Sequence, residues 1–158
     1  MKTASVKELK DELKYKDEKE LMEIVLRLSR FKKENKELLT YLLFEAHHED
    51  DYVDSVKANL DEQFLSVNTH NIYYAKKGIR KILKDAKKFI RYSGSKETEV
   101  AVLIHFCKLL QDFQPYYSQS KVLRDICTRQ IVLIKVRIST LHEDLQYDFE
   151  QELNMIDY

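Results

Sequence analysis

Apolar residues recur along this chain three and four places apart, the period of one face of an α-helix, and a two-residue strand period does not explain them. The first segment is short. Ser5 and Glu8 stand in capping-box spacing around Val6, Leu9 and Leu13, which predicts a helix packed as a lid. Asp17 and Glu20 repeat the signal, and Leu21, Ile24, Val25, Leu28 and Phe31 form the stripe of a second helix ending near Lys33. Asn35 is suited to cap or terminate a helix, and Leu38, Leu39, Leu42, Leu43 and Ala46 mark a third.

The acidic run Glu49-Asp50-Asp51 suits the positive end of a fourth helix, whose stripe is Val53, Val56, Leu60 and Phe64. A fifth helix over about 71–92 carries Ile72, Ala75, Ile79, Ile82, Leu83, Ala86 and Ile90, and Ser93-Gly94-Ser95 stops it. A sixth, over about 96–113, carries Val100, Leu103, Ile104, Cys107 and Leu110 and ends before Pro115, which has no backbone N–H to continue it. From Ser118 to the C-terminus the pattern persists through Leu123, Ile126, Cys127, Ile131, Ile134, Ile138, Leu141, Leu145, Phe149 and Leu153, with no glycine or proline to place a break. Residues 118–156 therefore read as one long helix or two. The heptad-like run Ile131, Ile134, Ile138, Leu141, Leu145 also suits a dimer seam, so both monomer and homodimer are open.

Short joints favour antiparallel neighbours. The expected fold is all-α: about six antiparallel helices in a single domain, 1–158, stacked as a HEAT-like α-α superhelix or a compact helical bundle. Two glycines, one proline and no tryptophan in 158 residues agree, being too few turn-formers for a sheet protein. The segment Lys33-Glu34-Asn35-Lys36-Glu37-Leu38-Leu39-Thr40-Tyr41-Leu42-Leu43-Phe44-Glu45-Ala46 resembles short bacterial all-α proteins of helical-repeat, HEAT-like type. That resemblance implies a fold and carries no catalytic motif.

Lys plus Arg and Asp plus Glu each number 27, so no global field draws the protein to nucleic acid or membranes, and charge-based function must be local. The first residues lack an apolar signal core, and the longest uncharged apolar stretch, Val100 to Cys107, is far short of a membrane span. Cys107 and Cys127 sit at helical spacing among apolar residues, as core thiols of a reducing, cytoplasmic compartment.

The strongest local signal is the fifth helix, where Lys76, Lys77, Arg80, Lys81, Lys84, Lys87, Lys88 and Arg91 oppose one acid, Asp85. Lys77, Lys81, Lys84, Lys88 and Arg91 share one stripe that can track phosphates, with Tyr73, Tyr74 and Tyr92 as stacking surfaces. The competing reading covers that stripe with an acidic segment, either 45–62, with seven acids against Lys57, or 143–157, with six acids and no base. Glu45, His47, His48 and Asp51 include one Glu-x-x-His spacing, where a carboxylate bundle needs two, so they are weak metal candidates and no cofactor is expected. Tyr116 and Tyr117, beside Pro115, are candidate anchors for a protein partner. No residue is singled out as catalytic, for no glycine-rich phosphate loop is present and His105 points away from Cys107 on the same helix. The expectation is a non-enzymatic protein-interaction or scaffold module with no membrane partner; nucleic acid on the basic helix is the alternative, and a metal site the third.

Overall fold

The computed structural model describes residues 1–156. Within them the chain is helical and contains no strand, in nine α-helices where periodicity predicts about six. It divides into two compact units, Met1–Phe44 and Glu45–Tyr158.

The first unit holds α1 (Val6–Leu13), α2 (Glu18–Phe31) and α3 (Lys33–Thr40), and a π-helical turn follows over Tyr41–Glu45. Both predicted capping boxes form: Ser5 N–H donates to Glu8 Oε2 at 2.7 Å, and Asp17 N–H to Glu20 Oε2 at 3.0 Å. Asn35 neither caps nor ends a helix of its own. It lies inside α3, and its side-chain amide donates to Leu28 O at 2.8 Å, closing an orphan carbonyl at the end of α2. The break falls instead at extended Lys32. The stripes expected to form core do not: α1, α2 and α3 bury no residue. Val6, Leu9 and Leu13 of α1 are exposed, so this helix is no packed lid.

The second unit holds α4 (Glu49–Leu65), α5 (Ile72–Ser93), α6 (Lys96–Asp112), the short α7 (Tyr116–Gln119), α8 (Lys121–Ile138) and α9 (Glu143–Asn154). Its centre is α6, apolar on nearly every side, with Val100, Val102, Leu103, Ile104, Phe106, Cys107 and Leu110 all buried. A helix of that composition is stable only when surrounded, and α4, α5, α8 and α9 pack around it. Phe64 of α4 meets Phe106 edge-on at 5.7 Å, and α8 applies Leu123, Ile126, Cys127, Ile131, Ile134 and Ile138. Ile131, Ile134 and Ile138 are therefore core, and no dimer seam is open there.

Two polar ties lock this packing. Glu49, in the first turn of α4, accepts hydrogen bonds from Ser93 at the end of α5 and Thr98 at the start of α6. A ring nitrogen of His105 on α6 lies 2.7 Å from Asp61 Oδ1 on α4.

Residues 118–156, read as one helix or two, hold the end of α7 and then two helices, α8 and α9. Ser120 caps α8, and between α8 and α9 the chain turns at Ser139-Thr140, whose hydroxyls donate back to Val136 O and Arg137 O at 2.8 Å each. His142 then caps α9, with Glu143 and Asp144 in its first turn. Local side-chain hydrogen bonds do here what glycine or proline does elsewhere.

Candidate anion-binding face

The basic helix α5 is well defined at both ends. Asn71 Oδ1 accepts from Tyr73 N at 2.9 Å and Tyr74 N at 3.1 Å, and Gly94, at φ 68°, takes the left-handed turn and donates to Ile90 O at 2.9 Å. Between these caps Ala75, Ile79, Ile82, Ala86 and Ile90 are buried. At about 100° per residue, Lys77, Lys81, Lys84, Lys88 and Arg91 fall directly opposite, with Arg80 and Lys87 along one margin. Burying the apolar stripe thus turns the cations outward.

Lys77, Arg80, Lys81, Lys84, Lys87 and Arg91 are exposed, and none makes an ion pair within the described residues. Lys88 is half-buried, its ammonium 4.8 Å from the centre of the Phe89 ring. Some acids of the segments that could neutralise the face are engaged elsewhere, and none forms an ion pair with these six cations among the described residues. On α4, Glu49 and Asp61 make the two ties above. On α9, Glu152 Oε2 lies 3.8 Å from Lys108 of α6. Asp157, the last acid of that run, lies outside the described residues.

Two grooves flank the helix. One, of 750 Å³, is lined by Glu62, Asn68, Tyr74, Lys77 and Lys81; the other, of 580 Å³, by Lys87, Arg91, Glu99, Leu133 and Arg137. Arg80 and Lys84 line both. Arg137 Nε lies 2.7 Å from Glu99 Oε2, so the second groove holds one internally matched pair beside the unmatched cations of α5. A Cβ on Gly78 would stand 3.0 Å from Val67 Cγ1, the close approach that brings the 66–68 loop down as a wall of the first groove. Tyr73 and Tyr74 stay exposed at the N-terminal end of the stripe, ring centres 5.4 Å apart.

The other candidates are placed differently. Tyr116 is half-buried: its hydroxyl donates to Thr69 O at 2.8 Å and its ring stacks on Phe113 at 5.1 Å. Tyr117 is half-buried against Gln111 and Cys127, and burial pushes its phenol above the ordinary range. Both follow the cis Gln114–Pro115 bond. Glu45 lies in the π-turn, His47 and His48 are exposed beside it, and Asp51 is exposed in the first turn of α4. Among the described residues no three or more His, Cys, Asp or Glu side chains converge as metal ligands, so these four do not form a metal centre. Cys107 and Cys127 are buried partners, and the contact with the Cys127 thiol, with burial adding to it, pushes the Cys107 thiol up, as in a packed core.

Sequence reasoning missed the apolar side chains left exposed on α2 and α3. Periodicity marks them as one-sided, and nothing in it says whether the other side is covered. No helix among the described residues is long and apolar enough to cross a membrane. Comparison with protein-family models, curated proteins and solved structures finds no match.

Proposed function

We propose that the chain is a non-enzymatic binding module that takes a polyanion, single-stranded nucleic acid, along the exposed face of α5. What supports this is one observation: six exposed cations on one helix face have no ionic partner in the described residues. A soluble scaffold gains nothing from uncompensated like charges packed at successive turns, since they repel one another. A phosphate backbone relieves the repulsion. From Lys77 to Arg91 the stripe runs about 21 Å, enough to follow several nucleotides of one strand. Tyr73 and Tyr74 at one end offer the π-faces on which unpaired bases stack without sequence preference. A cytoplasmic setting fits this reading, with Cys107 and Cys127 as buried thiols.

The test is fluorescence anisotropy with labelled single-stranded RNA and DNA, duplex of the same sequence, and poly-glutamate as an acidic-protein mimic. Single strands should bind most tightly. Charge reversal by Lys81→Glu with Lys84→Glu should abolish binding, and circular dichroism should be unchanged because both side chains are exposed. No binding of either strand type at low salt, or binding of poly-glutamate alone, would overturn the proposal. A protein-interaction role is the second reading, favoured by the uncovered apolar faces of α2 and α3.

A further inference from the structure

α2 and α3 form an apolar hairpin that their own unit does not cover. Between them runs a groove of 320 Å³ lined by Val25, Leu28, Ser29, Leu38 and Leu42. Round α2, Met22, Ile24, Val25, Leu26, Leu28 and Phe31 span about 220° of the helix at 100° per residue, and all six are exposed. One neighbouring helix cannot cover so wide an arc. Met22, Leu28, Phe31, Leu42, Leu43 and Phe44 each keep between 53% and 77% of their surface. At roughly 200 Å² for a large side chain standing free, those six alone leave on the order of 700 Å². That exceeds the largest apolar patch of a typical monomer and approaches the about 800 Å² each partner contributes to a stable interface.

We infer that this hairpin is a dimerisation element and that a second copy of the chain occupies its open face. Two features support this, the second choosing a copy over another partner. First, a unit of residues 1–44 is near the size below which a chain needs a disulfide, a metal or association to hold a fold. It contains no cysteine, and no metal-holding cluster exists among the described residues, so neither staple is available to it and its apolar face calls for another protein surface. Second, α2 is polar in its charge. Glu18, Glu20 and Glu23 occupy the first half, with Lys19 the exception, while Arg27 and Arg30 occupy the second and Lys32 caps it. That order serves the dipole of each helix. Under a twofold axis that sets two α2 helices antiparallel, it also lays the acidic half of each copy beside the basic half of the other. Parallel pairing would set like against like. The two hairpins then close as a four-helix bundle, with Leu28 and Leu42 turned inward.

Sedimentation velocity and light scattering on the full chain, over a wide concentration range, test this. The wild type should show twice the chain mass, and Leu28→Lys with Leu42→Lys should halve it while α4–α9 keep their helicity. Charge tests the pairing of α2 with α2. A copy carrying Arg27→Glu and Arg30→Glu, and another carrying Glu18→Lys and Glu23→Lys, should each associate poorly alone and form a one-to-one heterodimer when mixed, read by native mass spectrometry. A wild type monomeric at every concentration, or a dimer indifferent to both leucine substitutions, would overturn the inference, and failure of the charge variants to prefer one another would overturn the antiparallel pairing. The result is separable from nucleic-acid binding, because the chain with Lys81→Glu and Lys84→Glu should dimerise as the wild type does.

Discussion

Single residues carry the clearest commitments of this fold. Gly94 ends α5 at φ 68°, where a Cβ meets no neighbour and the strain is purely of the backbone, so Gly94→Ala should destabilise the protein by about 1 kcal/mol in urea denaturation. Phe106 is fully buried at the centre of α6 against Phe64, and Phe106→Ala should cost about 3–5 kcal/mol. Gln130 has the opposite character. It is buried on α8, its amide donates only to Ile126 O at 3.3 Å, and its Oε1 finds no hydrogen-bond partner. Burying an unmatched acceptor costs free energy that a shape-matched apolar side chain avoids, so Gln130→Leu should stabilise by about 1 kcal/mol. A lower urea midpoint for that variant would show the carbonyl to be paired.

At the scale of helices, capping and charge decide where elements begin. Glu8 is held below the ordinary glutamate range by the hydroxyl and backbone N–H of Ser5, and Glu20 chiefly by the backbone N–H of Asp17. A carboxylate whose folded pKa is depressed stabilises above its unfolded pKa and loses that contribution as pH falls through the lower folded value. The ends of α1 and α2 should therefore fray on acidification below the ordinary glutamate range, seen by NMR as loss of amide protection at Glu8 and Glu20. Glu8→Gln with Glu20→Gln should remove that pH-dependent step, and persistence of the step would contradict the assignment. These two starts were legible in the sequence because a capping box is local. So was the end of α5, since glycine is the usual residue for a left-handed turn. The break between α8 and α9 was not, because Ser139, Thr140 and His142 stop a helix through side-chain hydrogen bonds that the same residues need not make. The role of Asn35 was hidden similarly, as its partner, Leu28 O, belongs to the preceding helix.

At the scale of the whole molecule, periodicity identifies an all-helical chain and the apolar side of each helix, but not what lies across from that side. The stripes on α6 and α8 find neighbours and become core, while those on α2 and α3 remain open although their spacing is the same. The same gap separates charge counting from electrostatics. Eight cations near one another on α5 are visible in the sequence, yet whether 45–62 or 143–157 neutralises them is a tertiary fact. In the structure Glu49, Asp61 and Glu152 bond to Ser93, His105 and Lys108, and Lys77, Lys81, Lys84 and Lys87 of α5 are exposed with no ion pair among the described residues.

The salt dependence of oligonucleotide affinity tests that open face most directly. If five cations of α5 meet phosphates of a single strand, log K should fall with log salt at a slope of about −3.5, a loss of roughly 100-fold between 50 and 200 mM. Replacing Lys81 and Lys84 by glutamine should flatten the slope by about 1.4. Affinity that barely changes with salt, or a slope unmoved by those two substitutions, would contradict the account.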